Sequence, residues 1–311
     1  MTNNFFIRTI IAVSFTLQMS FVFAQQTPVF ANYSYNTVVI NPAHSGYYED
    51  IDVTLINSGL FNSVEGSPKN LGLTVNAPLR SKHLGLAAGI STDEIGVTTA
   101  TSFFGAYSYK IFFDSGYDGG KWWAYDPNIL SFGISAGGTK YSEDLLSLNI
   151  ENDPEFQNNV NAFVPTLGIG ILYNKDRIYL GVSAPNILGN SLSSERNINL
   201  KNPYYSYFGY RFFTTQLEEV MINPSILLKY VNGAPLQADF NVIINYINKV
   251  EFGAGYRTSE TVNLLAGFHL GTNFKLLYNY SYALKTYNNI NTHGIILNYR
   301  FGKGYEEKGF K

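Results

Sequence analysis

The sequence predicts an all-β chain: a transmembrane outer-membrane β-barrel of about 14 antiparallel strands, with about 12–16 as the bounds. Three observations carry this reading. The late chain is a series of short aromatic segments, VEFGAGYRT, VNLLAGFHL, FKLLYNYSY and GIILNYRF, each with one apolar and one mostly polar face. The chain opens on an export signal. Beyond that signal no run of about 18 apolar residues occurs, so a helical bundle in the membrane is not expected.

The export signal has a polar start with Arg8 and an apolar stretch from Ile10 to Phe23. Val22 and Ala24 stand at the −3 and −1 positions of a cleavage site, and Gln25 would begin the mature chain. Residues 1–24 therefore read as a signal peptide, with an uncleaved anchor as the alternative. Residues 25–50 follow as an N-terminal segment bearing Phe30, Tyr33 and Tyr35. Proline restricts the residue before it, so Asn41-Pro42 fits a rigid turn better than a strand. The segment reads as a plug for the barrel or an anchor beneath it.

Residues 51–301 read as the barrel. Side chains alternate along a strand with period two. Val250, Phe252, Ala254 and Tyr256 thus share one face, and Glu251, Gly253, Gly255 and Arg257 the other. The same split holds for 261–268, 274–282 and 294–301. Walking back, candidate strands fall at 236–246, 224–231, 205–213, 176–183, 162–173, 129–139, 98–109, 84–91, 69–77 and 51–59. Closure into a barrel satisfies every backbone polar group, which an open sheet in lipid cannot do.

Glycines inside these strands, among them Gly85, Gly89, Gly168, Gly170, Gly253 and Gly255, suit bends and close packing. Pro165 and Pro224 are placed at strand beginnings, where a missing donor is tolerated. Tyr204, Tyr205, Tyr207, Tyr210, Tyr278, Tyr280 and Tyr282 are candidates for an interfacial aromatic belt. The inward charges Glu251, Arg257, Lys275 and Arg300 either pair across the lumen or line an open route, and a small or plugged interior is preferred.

An even strand count puts both termini in one compartment, expected to be the periplasm. Links 60–68, 92–97, 140–161, 184–204, 232–235, 259–260 and 283–292 then face outward, and 78–83, 174–175, 247–249 and 269–273 inward. Link 110–128, with Trp122 and Trp123, is long yet inward in this register. Two readings stand: a periplasmic contact element, or a slip in the strand count. Residues 302–311 form a charged C-terminal tail, either a periplasmic handle or, preferred, disordered.

Composition narrows the function. A net charge of −2 argues against a nucleic-acid binder, which carries a basic face. With no cysteine there is no disulfide or thiolate chemistry. The histidines, His44, His83, His269 and His293, are too far apart in sequence to suggest a metal site. Asp93–Glu94 and Glu218–Glu219 read as solvated charge in links rather than acid–base pairs. Asn152, Asp153 and Glu155 offer oxygen ligands but lack a complete calcium-loop spacing. Gly168 and Gly170 sit in a strand pattern, not before a helix, so they make no phosphate cradle. His269 and Ser281 are the nearest approach to a lipid-modifying site and have no third member. No catalytic residue, cofactor or metal is expected.

Short motifs in order carry a family resemblance. Asn41, Pro42, Ala43 and Gly46 fit an NPA-x-x-G opening. Gly66, Ser67 and Pro68 fit a glycine–proline loop, and Ala77, Pro78 and Leu79 an APL turn. Late in the chain, NPSILLKYVNGAPLQADFNV supplies Asn223, Pro224, Pro235, Leu236 and Gln237, followed by YRTSETVNLLAGFHL and LNYRF. Together these resemble the PorP/SprF family of outer-membrane proteins of the type IX secretion and gliding machinery of Bacteroidota, over most of residues 28–301. One departure is visible. Where the family commonly carries a basic, tryptophan-bearing stretch, this chain has Asn57, Ser58, Gly59, Leu60, Phe61 and Asn62.

The resemblance implies a non-enzymatic component that supports secretion or surface attachment of adhesin-like proteins. Its implied partners are a large secreted surface protein with a C-terminal sorting domain, subunits of the secretion machine, and outer-membrane lipid. Phe30, Tyr33, Tyr35, Trp122 and Trp123 are the candidate partner contacts. The alternative from the residues alone is an outer-membrane channel or small-solute transporter.

Overall fold

The computed structural model describes residues 33–59, 66–113, 128–150, 153–189, 202–214, 219–284 and 291–305. The signal peptide, Phe30, Trp122, Trp123 and Asn152 lie outside the described residues.

The chain forms one antiparallel meander. The strands are β1 (Asp52–Ser58), β2 (Lys69–Pro78), β3 (Leu84–Ile95), β4 (Thr98–Phe112), β5 (Ile129–Glu143), β6 (Val160–Lys175), β7 (Ile178–Ala184) and β8 (Pro203–Tyr210), each paired with the next. A two-residue piece, β9 (Phe212–Phe213), prolongs β8 beyond a break at Arg211, and both pair with β10 (Val220–Val231). Then come β11 (Gln237–Tyr246), β12 (Val250–Arg257), β13 (Thr261–Leu270), β14 (Phe274–Ala283) and β15 (Thr292–Arg300). Strand β15 returns to pair with β1, placing Asp52 opposite Arg300. With β8 and β9 counted as one stave, the result is a closed barrel of fourteen strands.

Closure puts the start of β1 and the end of β15 at one rim, here the terminal rim, and the end of β1 and start of β2 at the far rim. Strands β4 and β5 pair without interruption from Thr98–Glu143 to Phe112–Ile129. The strand count therefore does not slip, and Phe112 and Ile129, which flank link 113–128, lie at the terminal rim. The strand ends that flank the two long links 144–159 and 185–202, Glu143 and Val160, and Ala184 and Pro203, are directed to the far rim.

Alternation separates the two faces sharply. Phe252 is 53% exposed and Leu264 50%, whereas Glu251 and Arg257 are each 3% exposed. Outward aromatics gather at both strand ends. Tyr204, Tyr230, Tyr256 and Tyr282 ring the far end, and Tyr109, Phe112, Tyr246, Phe268 and Tyr299 the terminal end. Two such girdles flanking an apolar band are the outer surface of a barrel in lipid. Tyr205 and Tyr207 do not join the expected belt. They have inward parity, and Tyr207 is 4% exposed.

Several boundaries differ from the sequence reading. Strands β6 and β10 begin at Val160 and Val220, so Pro165 and Pro224 lie inside strands. Each proline sits where one flank of the ladder is absent. Strand β7 reaches only as far as Ile169 of β6, and Pro224 falls between the β8 and β9 pairings, opposite the break at Arg211. A missing N–H is harmless there. Strand β3 runs to Ile95, so Asp93 and Glu94 belong to a strand rather than a link, and Asn70 Nδ2 donates to Asp93 Oδ1 at 2.5 Å.

The lipid-facing assignment has a direct test. Ile134, 56% exposed, sits near the middle of the outer surface of β5. Ile134→Lys is expected to cost about 2–4 kcal/mol in urea unfolding from lipid vesicles. Lys82→Ala, in a turn at the terminal rim, should change stability by under about 0.5 kcal/mol.

Candidate functional site

The candidate site is the barrel interior, because an N-terminal stretch runs inside it. Residues 33–48 form three short 3-10 turns, Tyr33–Tyr35, Thr37–Val39 and Pro42–His44. Asn41 caps the third. Its backbone is extended, as the following proline requires, and its Oδ1 accepts from Ala43 N–H at 2.9 Å. Asn41, Ala43 and Ser45 are each 0% exposed, so the barrel encloses the middle of this stretch, while Ser34, Tyr35 and Tyr48 toward its ends are half-buried.

A buried segment without regular structure must find partners for its backbone elsewhere. The wall supplies them from inward polar side chains, most of them short. Ser183 Oγ donates to Ile40 O at 2.7 Å, Ser131 Oγ to Ala43 O at 2.7 Å, and Ser108 Oγ to Ser45 O at 2.6 Å. Asn76 Nδ2 donates to His44 O at 3.1 Å, and its Oδ1 accepts from Gly46 N–H. Lys110 Nζ donates to Gly46 O. Thr74 Oγ1 donates to Asn36 Oδ1 at 3.0 Å. These donors come from β2, β4, β5 and β7. Net hydrogen bonds are worth about 1 kcal/mol each, but a buried carbonyl left unpaired would cost about 1–3 kcal/mol.

Three wall glycines make the room. A Cβ on Gly133 would stand 2.2 Å from Ala43 N, one on Gly170 2.0 Å from Asn41 Oδ1, and one on Gly85 2.0 Å from Ser45 O. From the sequence, Gly85 and Gly170 suited bends and close packing. Their work here is clearance for the enclosed segment. Gly46 is needed for two reasons. Its φ is +57°, and a side chain would meet Gly85 Cα at 2.5 Å and Ala77 O at 2.8 Å. The NPA-x-x-G opening and the APL turn therefore touch.

At the centre, Asn41 Nδ2 donates to Tyr207 Oη at 2.9 Å and to Ile171 O at 3.1 Å. Tyr207 Oη also lies 2.8 Å from His44 Nε2. Burial, and then the charge of Arg211, hold His44 down at about 3. Around this trio pack Tyr33, Ile40, Ile129, Leu172 and Leu227.

Charge concentrates toward the ends. At the terminal rim Lys275 Nζ lies 2.6 Å from Glu251 Oε1, with Tyr35 Oη donating to Glu251 Oε2 at 2.9 Å and Asn245 Nδ2 to Glu251 Oε1 at 2.5 Å. The Arg300 guanidinium sits 3.6 Å from the Tyr48 ring centroid and 4.2 Å from that of Tyr305. Lys275 lies 5.0 Å from the Tyr35 centroid and 5.4 Å from that of Tyr305. Desolvated cation–π contacts of this kind contribute about 2 kcal/mol each. A cavity of about 150 Å³ remains among these groups, lined also by Asp52, Tyr179 and Arg211. Toward the far rim, Arg257 and Asp239 are direct cross-strand partners joined by two hydrogen bonds, Nε–Oδ1 at 2.8 Å and Nη2–Oδ2 at 2.6 Å. The inward charges thus pair with near neighbours rather than across an open bore.

The other expected residues fall as follows. Gly66, at φ +75°, closes the first far-rim link, its carbonyl accepting from Gly96 N–H at 2.9 Å, and Pro68 lies beside it. Leu79 N–H donates to Leu84 O at 3.0 Å, closing the APL turn at the terminal rim. Asn223 lines the cavity and accepts from Tyr179 Oη at 3.1 Å. Pro235 and Leu236 lead into β11, where Gln237 Nε2 donates to Asp239 Oδ1 at 3.0 Å. Tyr33 Oη accepts from Asn241 Nδ2 at 3.1 Å, so Tyr33, like Tyr35, is engaged inside the barrel. His269 and Ser281 do not meet. His269 stands opposite Lys275, six residues from Ser281, or about 20 Å along the strand. Among the described residues no group of three or more His, Asp or Glu side chains could hold a metal.

Sequence reasoning missed the hydroxyl wall of Ser108, Ser131 and Ser183 and the role of Tyr305. The only signal for the wall was a small polar residue at inward parity in successive strands.

Two outcomes follow, both read through a single cysteine at Ser34→Cys, the only thiol in a chain without cysteine. Gly133→Val should displace the enclosed segment while the barrel still closes, raising the labelling rate by about tenfold or more, since overpacking costs about 1–3 kcal/mol. For His44, the folded pKa is lowered, so the unfolded or released segment binds protons more readily. The seat is therefore full above about 6.5 and weakens as pH falls toward about 3. Labelling should rise across that window, and His44→Gln should remove that part of the pH dependence.

The family model of the type IX secretion system membrane protein PorP/SprF matches residues 22–299. No curated protein matches the chain. Solved structures with a similar course include CdiB from Acinetobacter baumannii, at 8% identity and TM-score 0.37, covering 81% of this chain and 60% of that one. This chain thus spans less than two thirds of CdiB. The outer membrane protein Omp33 of the same organism matches at 8% identity and TM-score 0.45, covering 83% and 100%. The TodX deltaS2S3 mutant monoaromatic hydrocarbon channel matches at 12% and 0.47, covering 85% and 92%. With a closed fourteen-stranded barrel and a family match over residues 22–299 of 311, the chain belongs to the PorP/SprF family and is a non-enzymatic, integral outer-membrane protein of type IX secretion.

Proposed function

We propose that this protein is a closed platform in the type IX machinery that supports secretion or surface attachment of a large adhesin-like protein with a C-terminal sorting domain. The observation that carries the reading is the filled lumen. Residues 33–48 occupy the bore and are held by donors from four strands. A bore closed in this way suits holding a partner better than passing solute.

In this reading residues 25–50 act as the plug and both termini face the periplasm. Long links 144–159 and 185–202 then face the cell exterior, where a surface protein would be met. Link 113–128, with Trp122 and Trp123 in its sequence, faces the periplasmic subunits of the machine. Outward apolar residues between two aromatic girdles meet the lipid.

Clean deletion should leave cells intact and remove one class of sorting-domain protein from the surface, scored by surface proteomics. Normal display of every such protein would overturn the platform reading. Crosslinking in native membranes followed by affinity capture should recover a large exported protein or a machine subunit. In planar bilayers the purified protein should show no stable conductance, and deletion of residues 33–48 should open it. Steady conductance by the intact protein would favour a channel instead.

A further inference from the structure

We infer that the C-terminal tail is a latch for the lumen segment, with Tyr305 as its catch. The inference rests on the reading that residues 33–48 close the bore. The geometry is a shared sandwich. Arg300 lies between Tyr48 and Tyr305, at 3.6 and 4.2 Å from their ring centroids. Lys275 lies between Tyr35 and Tyr305, at 5.0 and 5.4 Å. Tyr35 and Tyr48 flank the lumen segment, so one tail ring backs both cations that hold its two ends.

The tail is built to bring that ring inward. Gly302 and Gly304 adopt φ of +66° and +64°, which turn the chain over the rim after Phe301. Lys303 N–H donates to Asp50 Oδ2 at 2.9 Å, and Tyr305 N–H to Thr272 O at 2.6 Å. Tyr305 Oη donates to Asn298 Oδ1, and the ring meets His269 edge-on at 4.7 Å between centroids. Tyr305 ends 7% exposed. Of the tail, read from the sequence as either a handle or disordered, the described residues 302–305 fold onto the rim. Asp50 joins the same contact from the N-terminal side. Lys275 and Arg300 stay on β14 and β15 when the tail moves, but losing Tyr305 removes one face of each cation's enclosure, admits water and weakens their stacking on Tyr35 and Tyr48. A partner drawing on the tail at this rim would thereby loosen the segment without touching it.

The test is thiol labelling of Ser34→Cys with a bulky maleimide, in full-length protein reconstituted in lipid. Ser34 lines the cavity beneath Tyr305. Tyr305→Ala and truncation after Phe301 are each expected to raise the labelling rate about tenfold or more. Tyr305→Phe keeps the ring and should label as the parent does. Tyr305→Leu keeps the bulk without the π face, guards against loss of folding, and should label several-fold faster. Barrel closure is checked in every variant by heat-modifiable migration. Parent-like rates in the closed Ala and Leu variants would overturn the latch, as would a Phe variant as fast as the Ala one. The bilayer result separates the two ideas. If deleting residues 33–48 opens conductance while the Tyr305 variants label normally, the plug stands and the latch falls. If that deletion leaves the barrel closed, the plug reading itself fails.

Discussion

A barrel of fourteen strands is too wide for its own inward side chains to meet in the middle. Something else must occupy the bore, or water will. This chain uses its own N-terminal stretch, and most features of the interior follow from that choice. An irregular segment brings unpaired carbonyls, so the wall carries donors where it passes: Ser108, Ser131 and Ser183, with Asn76 and Lys110 toward its end. The segment must also approach the wall closely, so Gly85, Gly133 and Gly170 stand where it passes.

The distribution of charge obeys the same constraint. Around the middle of the enclosed stretch the neighbours are hydroxyls, amides and apolar side chains, with Ile129 and Leu172 almost fully buried. A neutral segment can be desolvated there at modest cost, whereas an unpaired charge could not. Full charges gather instead toward the rims, each beside a partner. Glu251 and Lys275 bridge β12 and β14 near one end, and Asp239 and Arg257 bridge β11 and β12 near the other. Pairs of this sort do little for net stability once desolvation is counted, but removing one member strands a buried charge. Asp239–Arg257 ties the adjacent strands β11 and β12, whereas Glu251–Lys275 reaches over β13 and sets Lys275 against Tyr35 and Tyr305.

The barrel was legible in the sequence because alternation is a local property. Phe252 against Glu251, or Leu264 against Asn263, states its side within two residues. Strand spans and the even count followed from this. The interior was not legible, because its contacts are long-range. Ser183 meets Ile40 across 143 positions, and Asn41 meets Tyr207 across 166. Alternation marks Ser183 as inward and says nothing of what waits inside. The same limit misassigned Tyr205 and Tyr207 to a lipid belt: their residue type suited the interface, and only their parity forbade it. Pro165 and Pro224 misled for another reason. A proline inside a strand is tolerated when a flank is unpaired, and a missing flank is a property of the neighbouring strand.

The route of the enclosed segment also bears on the order of assembly. Its partners lie on β2, β4, β5, β7, β8, β10, β11 and β12, so they span nearly the whole chain. Residues 33–48 precede every strand in the chain, yet their seat is complete only when β15 has found β1. Contacts of such sequence separation form slowly. Strand pairing is local along the meander, whereas seating this segment needs nearly all of it, so the part of the described chain that comes first has the partners most spread along the sequence.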